Sequence, residues 1–163
     1  MRKKKRMLDY EKSRHKIILK QLGGQVEELK GSSCYVKFNL DGLEIVYLYH
    51  INLEKKFFLK RVEPYPLGAG IYESEDDVID IIKIDLEQFK NAMKSKKFNK
   101  FIEINRELNN TVRKFDDLYL YYNVSGVNTE KIRQKIMEVD QLIDETREES
   151  KRVFFKKDPD VLK

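Results

Sequence analysis

Cysteine, tryptophan, glycine and proline are scarce in this chain of 163 residues. It contains one cysteine, no tryptophan, seven glycines and three prolines. The single cysteine, Cys34, excludes an internal disulfide framework and any metal site built from several thiolates. Glycine and proline reach about half of their usual share, which favours a few long helices and strands over many short ones.

Long hydrophobic runs are also lacking. The longest unbroken apolar stretch is 45–49, whereas a helix that crosses a bilayer needs about 20 apolar residues. No apolar leader follows the basic residues near the N-terminus, because Leu8 is followed at once by Asp9. Together with the lone thiol, these absences predict a soluble cytoplasmic protein that makes no membrane contact.

The chain is rich in charged and aromatic side chains. Charged residues make up 37 % and hydrophobic residues 40 % of it, with nine Tyr and nine Phe. This hydrophobic share supports a folded core and excludes a fully disordered chain. The net charge of +5 is local, since residues 1–33 contain ten basic and four acidic side chains.

Two basic clusters are candidates for binding nucleic acid, because Lys and Arg make most phosphate contacts. Each cluster also has a simpler interpretation: the first is a solvated terminus, and the second lies at the negative end of a helix. The first cluster is Arg2, Lys3, Lys4, Lys5 and Arg6, and the second is Lys94, Lys96, Lys97 and Lys100.

The first half of the chain predicts a helix followed by a three-stranded antiparallel meander. The helix covers 7–22 and ends at Gly23-Gly24, where glycine relieves the strain of a left-handed cap. The polar connection 25–33 has room for a short strand at Val26–Leu29. Alternating apolar residues predict strands at Cys34–Leu40, Leu43–Ile51 and Phe57–Val62, with a tight turn at Asp41-Gly42.

The second half predicts three helices. Pro64–Gly70 breaks regular structure, and Ser74 with Asp77 then resembles a capping box for a helix that ends near Lys94. Two long helices follow, over Phe98–Tyr122 and after a cap at Asn128. Their apolar residues recur at three- and four-residue steps, which predicts an αα-hairpin with helices about 35 Å long.

These elements predict a single α+β domain over 1–163. Its plausible internal seam is 64–73, between a helix-plus-sheet half and an all-helical half, and 1–6 and 157–163 are expected to be frayed tails.

The sequence offers no convergent group of catalytic residues, and we expect no cofactor and no metal. His15 and His50 lack a local metal-ligand spacing, and Cys34 falls within an apolar alternation. The Gly68-Ala69-Gly70 segment does not suit a phosphate, because acidic residues crowd the start of the next helix. These acidic residues are Glu73, Glu75, Asp76 and Asp77.

One enzyme pattern is carried by Asp41, at the head of the second strand, and by Glu54-Lys55-Lys56, before the third. With the order helix, three strands and helix, it resembles the opening of the PD-(D/E)xK nuclease core. The resemblance implies that Asp41 and Glu54 hold Mg²⁺ and that Lys56 steadies the attacking water.

Aromatic residues also mark candidate interaction surfaces, since tyrosine is enriched at interfaces. The alternative is that these rings roof the core and keep their hydroxyls in water. The tyrosines concerned are Tyr47, Tyr49, Tyr119, Tyr121 and Tyr122.

The hypothesis that we favour is a non-catalytic protein-interaction or regulatory module that associates with itself or with another protein. Broad apolar stripes on the predicted helices motivate it, because oligomerisation hides such surface. The alternative is a nucleic-acid-binding protein, or a Mg²⁺-dependent nuclease with a PD-(D/E)xK-like arrangement.

Overall fold

The computed structural model describes residues 14–29, 33–51 and 56–162. These residues form a five-stranded antiparallel sheet and four helices, which confirms the predicted α+β class. The strands are β1 (Gln25–Leu29), β2 (Ser33–Leu40), β3 (Leu43–Ile51), β4 (Phe57–Glu63) and β5 (Leu67–Tyr72). The helices are α1, of which the structure describes residues 14–21, α2 (Glu75–Ala92), α3 (Phe98–Tyr121) and α4 (Gly126–Glu149).

The sheet has two more strands than the predicted three-stranded meander. Its order is β1-β2-β3-β4-β5, so each strand pairs with its neighbours in sequence. β5 lies in the segment where a break was expected. It is an edge strand that needs hydrogen bonds to β4 alone, and Pro66 precedes it without interrupting the ladder. Gly70 has a φ of +124°, a backbone conformation that glycine adopts without side-chain strain.

One face of the sheet carries the hydrophobic core. Alternate residues of β2 and β3, including Phe38 and Tyr47, point to the same side and are almost fully buried. Helices α1 and α2 supply the opposite wall of this core through Leu19, Val78, Ile79, Ile82, Leu86 and Phe89.

The predicted start of α2 is confirmed, whereas the predicted N-cap of α4 is wrong. The Asp77 backbone N–H donates to Ser74 Oγ and the Ser74 N–H donates to Asp77 Oδ2, each over 3.1 Å, which confirms the capping box of α2. The N-cap of α4 is Ser125, three residues before the predicted Asn128, because Ser125 Oγ accepts the Asn128 N–H over 3.3 Å.

The chain divides into two compact units, Met1–Arg106 and Glu107–Lys163. The first contains the sheet, α1, α2 and the start of α3. The second contains the rest of α3, α4 and a terminal segment in which residues 150–162 form no helix or strand. The boundary between these units lies within α3, and β5 occupies most of 64–73 and pairs with β4.

None of the helices in the described ranges combines the length and the apolar character that spanning a bilayer requires.

Candidate functional site

Asp41 and Lys56, two residues of the nuclease-like pattern, lie far apart. Asp41 lies in the β2–β3 turn with a φ of 49°, and Lys56 lies just before β4, where its Nζ is 3.2 Å from Glu73 Oε1. The nine residues of β3 separate these two positions by about 30 Å, at about 3.3 Å per residue. Glu54 lies outside the described residues. A single site that contains both Asp41 and Lys56 does not fit this separation.

The glycines before α2 and the residue His50, which the sequence analysis also considered, do not form a site either. Gly68 and Gly70 belong to β5, so they do not form a phosphate-binding loop. His50 is exposed and stacks on Phe58, with ring centroids 5.0 Å apart. Within the described ranges, no three His, Cys, Asp or Glu side chains are grouped as a metal site requires.

A first buried polar cluster joins β3, β4 and α2 around Arg61. Arg61 Nη1 lies 2.8 Å from both carboxylate oxygens of Asp85, and the Tyr47 hydroxyl donates to Asp85 Oδ2 over 2.6 Å. The guanidinium carbon lies 4.5 Å from the ring centroid of Tyr65 and 4.8 Å from that of Phe89. The ion pair and the two cation–π contacts offset part of the cost of burying the charge, while the buried Arg61 Nε has no hydrogen-bond partner among the described residues.

Burial changes the titration of the two tyrosines in this cluster. Burial raises the pKa of Tyr47 well above its ordinary value, and the neighbouring Asp85 raises it further. Burial also raises the pKa of Tyr65, with Arg61 acting in the opposite direction. The Tyr47 hydroxyl therefore remains a hydrogen-bond donor, and the cluster joins β3 and β4 to α2.

A second buried cluster joins α1, β3 and the first turn of α2. His15, only 5 % exposed, places Nδ1 2.6 Å from Glu75 Oε2 and Nε2 3.0 Å from Asp76 Oδ1. The Tyr49 hydroxyl donates to Glu75 Oε1 over 2.6 Å. Burial, followed by the Glu75 charge, raises the pKa of Tyr49, so this hydroxyl also remains a donor.

These two clusters were missed by sequence reasoning because their members lie far apart in the chain. His15 and Glu75 are 60 positions apart, and Arg61 and Asp85 are 24 apart. The only local signal is the acidic first turn of α2, which in the sequence indicates only that a phosphate is disfavoured there.

The candidate interaction tyrosines separate into two groups. Tyr47 and Tyr49 are buried beneath α2, at 1 % and 4 % exposure, so they do not belong to a surface. Tyr121 and Tyr122 are exposed, and the partly exposed Tyr119 donates its hydroxyl to Thr129 Oγ1 over 2.6 Å. The placement of Tyr119, Tyr121 and Tyr122 remains compatible with the prediction.

Of the two basic clusters, only the second lies among the described residues. Lys94, Lys96 and Lys97 are exposed between α2 and α3, while Lys100 Nζ lies 2.9 Å from Glu103 Oε2. Arg2, Lys3, Lys4, Lys5 and Arg6 lie outside the described residues.

The second unit presents a large apolar surface. α4 contains no buried side chain, and the two buried residues of α3, Phe98 and Ile102, both belong to the first unit. An open concavity of about 500 Å³ lies at the connection between α3 and α4, with Leu118, Tyr122, Val124 and Ile132 among its walls. The α3 stripe consists of Leu108, Val112, Phe115 and Tyr119, and the α4 seam consists of Ile132, Ile136, Val139, Ile143 and Thr146.

The exposure of these residues makes this surface the candidate functional site. Val112 is 68 % exposed, and Ile136, Val139 and Ile143 are 59, 48 and 45 % exposed. Such a surface can bind another apolar surface, whereas His15 and Arg61, at the centres of the two polar clusters, are buried. No protein-family model, curated protein or solved structure matches the chain.

Proposed function

We propose that the protein is a non-catalytic interaction module that associates with a second copy of itself through the α3 stripe and the α4 seam. The observation that carries this proposal is that α4 is a 24-residue helix in which no side chain is buried. Helices of soluble proteins owe most of their stability to the burial of an apolar face. A second apolar surface would supply that burial.

Association would bury the apolar side chains that α3 and α4 expose in a single chain. Burying apolar surface contributes about 25 cal/mol for each Å², and contiguous apolar patches on soluble proteins usually mark an interaction site. The α3 stripe and the α4 seam each run over several helical turns, and four residues, 122–125, connect the two helices. We therefore propose that the exposed apolar residues of α3 and α4 pack against a partner.

A second copy is the partner that we propose because the α4 seam is close to symmetric about Val139. Apolar positions lie three and seven residues before Val139, at Ile136 and Ile132, and four residues after it, at Ile143. Thr146 completes the pattern seven residues after it. A helix with this symmetry presents the same contact surface in both directions, as a two-fold interface requires.

Sedimentation velocity over a wide range of protein concentrations tests this proposal. We expect the wild-type chain to associate and the Val139→Glu variant to stay monomeric, because a carboxylate would be buried in the seam. Met137→Glu is the matched control, since Met137 is 55 % exposed and lies on the opposite side of α4. A wild-type chain that stays monomeric, or equal effects of both variants, would contradict the proposal.

Nucleic-acid binding is a second candidate function, favoured by the exposed Lys94, Lys96 and Lys97. Lysine binds phosphate as a point charge and is poorly suited to bidentate recognition of bases, so this binding would be independent of sequence. A mobility shift that weakens steeply with salt, and that Lys94→Gln/Lys97→Gln weakens further, would support this function. Absence of any shift at low salt would exclude it for the oligonucleotides used.

A further inference from the structure

The charges of α4 are divided between its two halves. The first half, residues 126–137, contains three basic side chains and one acidic side chain. The second half, residues 138–149, contains six acidic side chains and one basic side chain. The basic residues of the first half are Lys131, Arg133 and Lys135, and the acidic residues of the second half are Glu138, Asp140, Asp144, Glu145, Glu148 and Glu149.

We infer that two copies of α4 pair in antiparallel orientation, with the two-fold axis at Val139. This inference rests on the proposed function and specifies how the two copies meet. Antiparallel pairing places the basic half of each α4 beside the acidic half of the other, and it also opposes the two helix dipoles. Parallel pairing would instead bring the two acidic halves together, where like charges repel.

Specific flanking residues support the antiparallel register. With the axis at Val139, Lys131 of one copy lies within one helical turn of Glu149 of the second, and Arg133 lies within one turn of Asp144. In the described part of a single chain, Lys131, Asp144 and Glu149 take part in no ion pair. These three charges are therefore available to a second copy, whereas Arg133 already pairs with Glu130 over 2.8 Å.

The apolar seam agrees with the same register. Antiparallel pairing about Val139 places Ile136 within one residue, about 1.5 Å along the axis, of Ile143 of the second copy, and it places Ile132 opposite Thr146. Each α4 thus contributes one residue to every cross-helix pair, and Val139 meets its own counterpart at the axis. Antiparallel pairing therefore explains both the symmetry of the α4 seam and the separation of basic and acidic residues between the two halves of α4.

Cysteine cross-linking of the full chain distinguishes the two orientations. In a Cys34→Ser background, Ile136→Cys and Ile143→Cys proteins are mixed, oxidised and separated by mass. We expect the mixed disulfide to exceed either self-disulfide several-fold, because the two copies of position 136 lie about 9 Å apart along the axis, beyond disulfide reach. Predominant self-disulfides of each single variant would show parallel pairing and overturn the inference.

Charge reversal provides an independent readout. We expect Lys131→Glu/Arg133→Glu to raise the dissociation constant by about tenfold at low salt, and less at high salt. Lys20→Glu/Lys60→Glu is the control, since it makes the same change in net charge at exposed positions of the first unit. An equal effect of the two double variants would count against the inference. In a parallel pair the two basic halves lie side by side, so charge reversal would only replace a contact between positive charges with one between negative charges.

The failures of the inference and of the proposed function are distinguishable. A mass that rises with concentration, without a mixed disulfide, overturns the antiparallel register and leaves self-association in place. A mass that does not rise with concentration overturns both.

Discussion

Arg61 Nη1 lies 2.8 Å from each carboxylate oxygen of Asp85, and only about 5 % of the Arg61 side chain remains exposed. This contact connects β4 to α2 across the core. It is the first of the two polar clusters that hold the helical layer on the sheet, and it makes the stability of the first unit sensitive to single side chains.

Arg61→Met is expected to lower the free energy of unfolding by about 3–5 kcal/mol, because the substitution leaves the Asp85 carboxylate without its cation. Arg61→Met/Asp85→Leu should recover part of that loss, since the uncompensated charge is then removed. Urea denaturation measures both effects. Lys60→Met, at the exposed neighbouring position, is the control, and a loss equal to that of Arg61→Met would contradict the role of the ion pair.

The stability of the protein should fall at alkaline pH because of Tyr47 and Tyr49. Burial, with Asp85 and Glu75 respectively, raises the pKa of both phenols in the folded state. Their contribution to stability is therefore complete below the ordinary tyrosine pKa of about 10, and it is lost as the pH rises above that value. We expect Tyr49→Phe to reduce the slope of stability against pH above about pH 10.

Denaturant unfolding across this pH range, combined with the absorbance of tyrosinate, measures the effect. Tyr121→Phe is the control because Tyr121 is 77 % exposed. The same slope in wild type and Tyr49→Phe would show that the buried hydroxyl does not govern alkaline stability.

His15→Ala should loosen α1 from the first turn of α2. The side chain of Glu75 is only 11 % exposed and would lose its contact with His15, at a cost of about 1–3 kcal/mol. Hydrogen exchange of the backbone amides at 17–21 reports this loss locally. Arg14→Ala breaks an exposed pair with Asp76 and should cost less than about 1 kcal/mol. Equal protection in the two variants would contradict the proposed anchoring by His15.

Gly24 and Gly126 should respond in opposite ways to alanine. A Cβ at Gly24 would lie 2.8 Å from the Leu19 carbonyl oxygen and 2.9 Å from the Phe38 ring, whereas a Cβ at Gly126 meets nothing within 4 Å. We expect Gly24→Ala to cost about 1–3 kcal/mol and Gly126→Ala to be neutral or to stabilise the protein by up to about 1 kcal/mol. Thermal unfolding measures both, and a neutral Gly24→Ala would contradict the described contact.

Local sequence signals predicted much of the fold because the physics at those positions is local. The turn at Asp41-Gly42 needs two positive φ values, and these residues adopt 49° and 92°. The Ser74 capping box likewise depends on residues three apart. β5 was missed because Pro66, Gly68 and Gly70 disfavour a strand on their own. Their pairing depends on β4, which local propensity does not include.

The candidate site was predictable only in part. The repeat of apolar residues through Val139 and Ile143 was visible in sequence, because it follows the helical period. The burial of Tyr47 and Tyr49 was not, since the alternation of β3 shows that they share a face and does not show that α2 covers it. The exposure of the α4 seam likewise depends on which elements approach it in three dimensions.

The most direct test of self-association is the weight-average mass of the full-length chain, measured by light scattering as a function of concentration. The proposed pairing predicts that this mass rises from 19.5 kDa towards twice that value, and that Val139→Glu abolishes the rise while Met137→Glu preserves it. A mass that stays at 19.5 kDa at every concentration would contradict it.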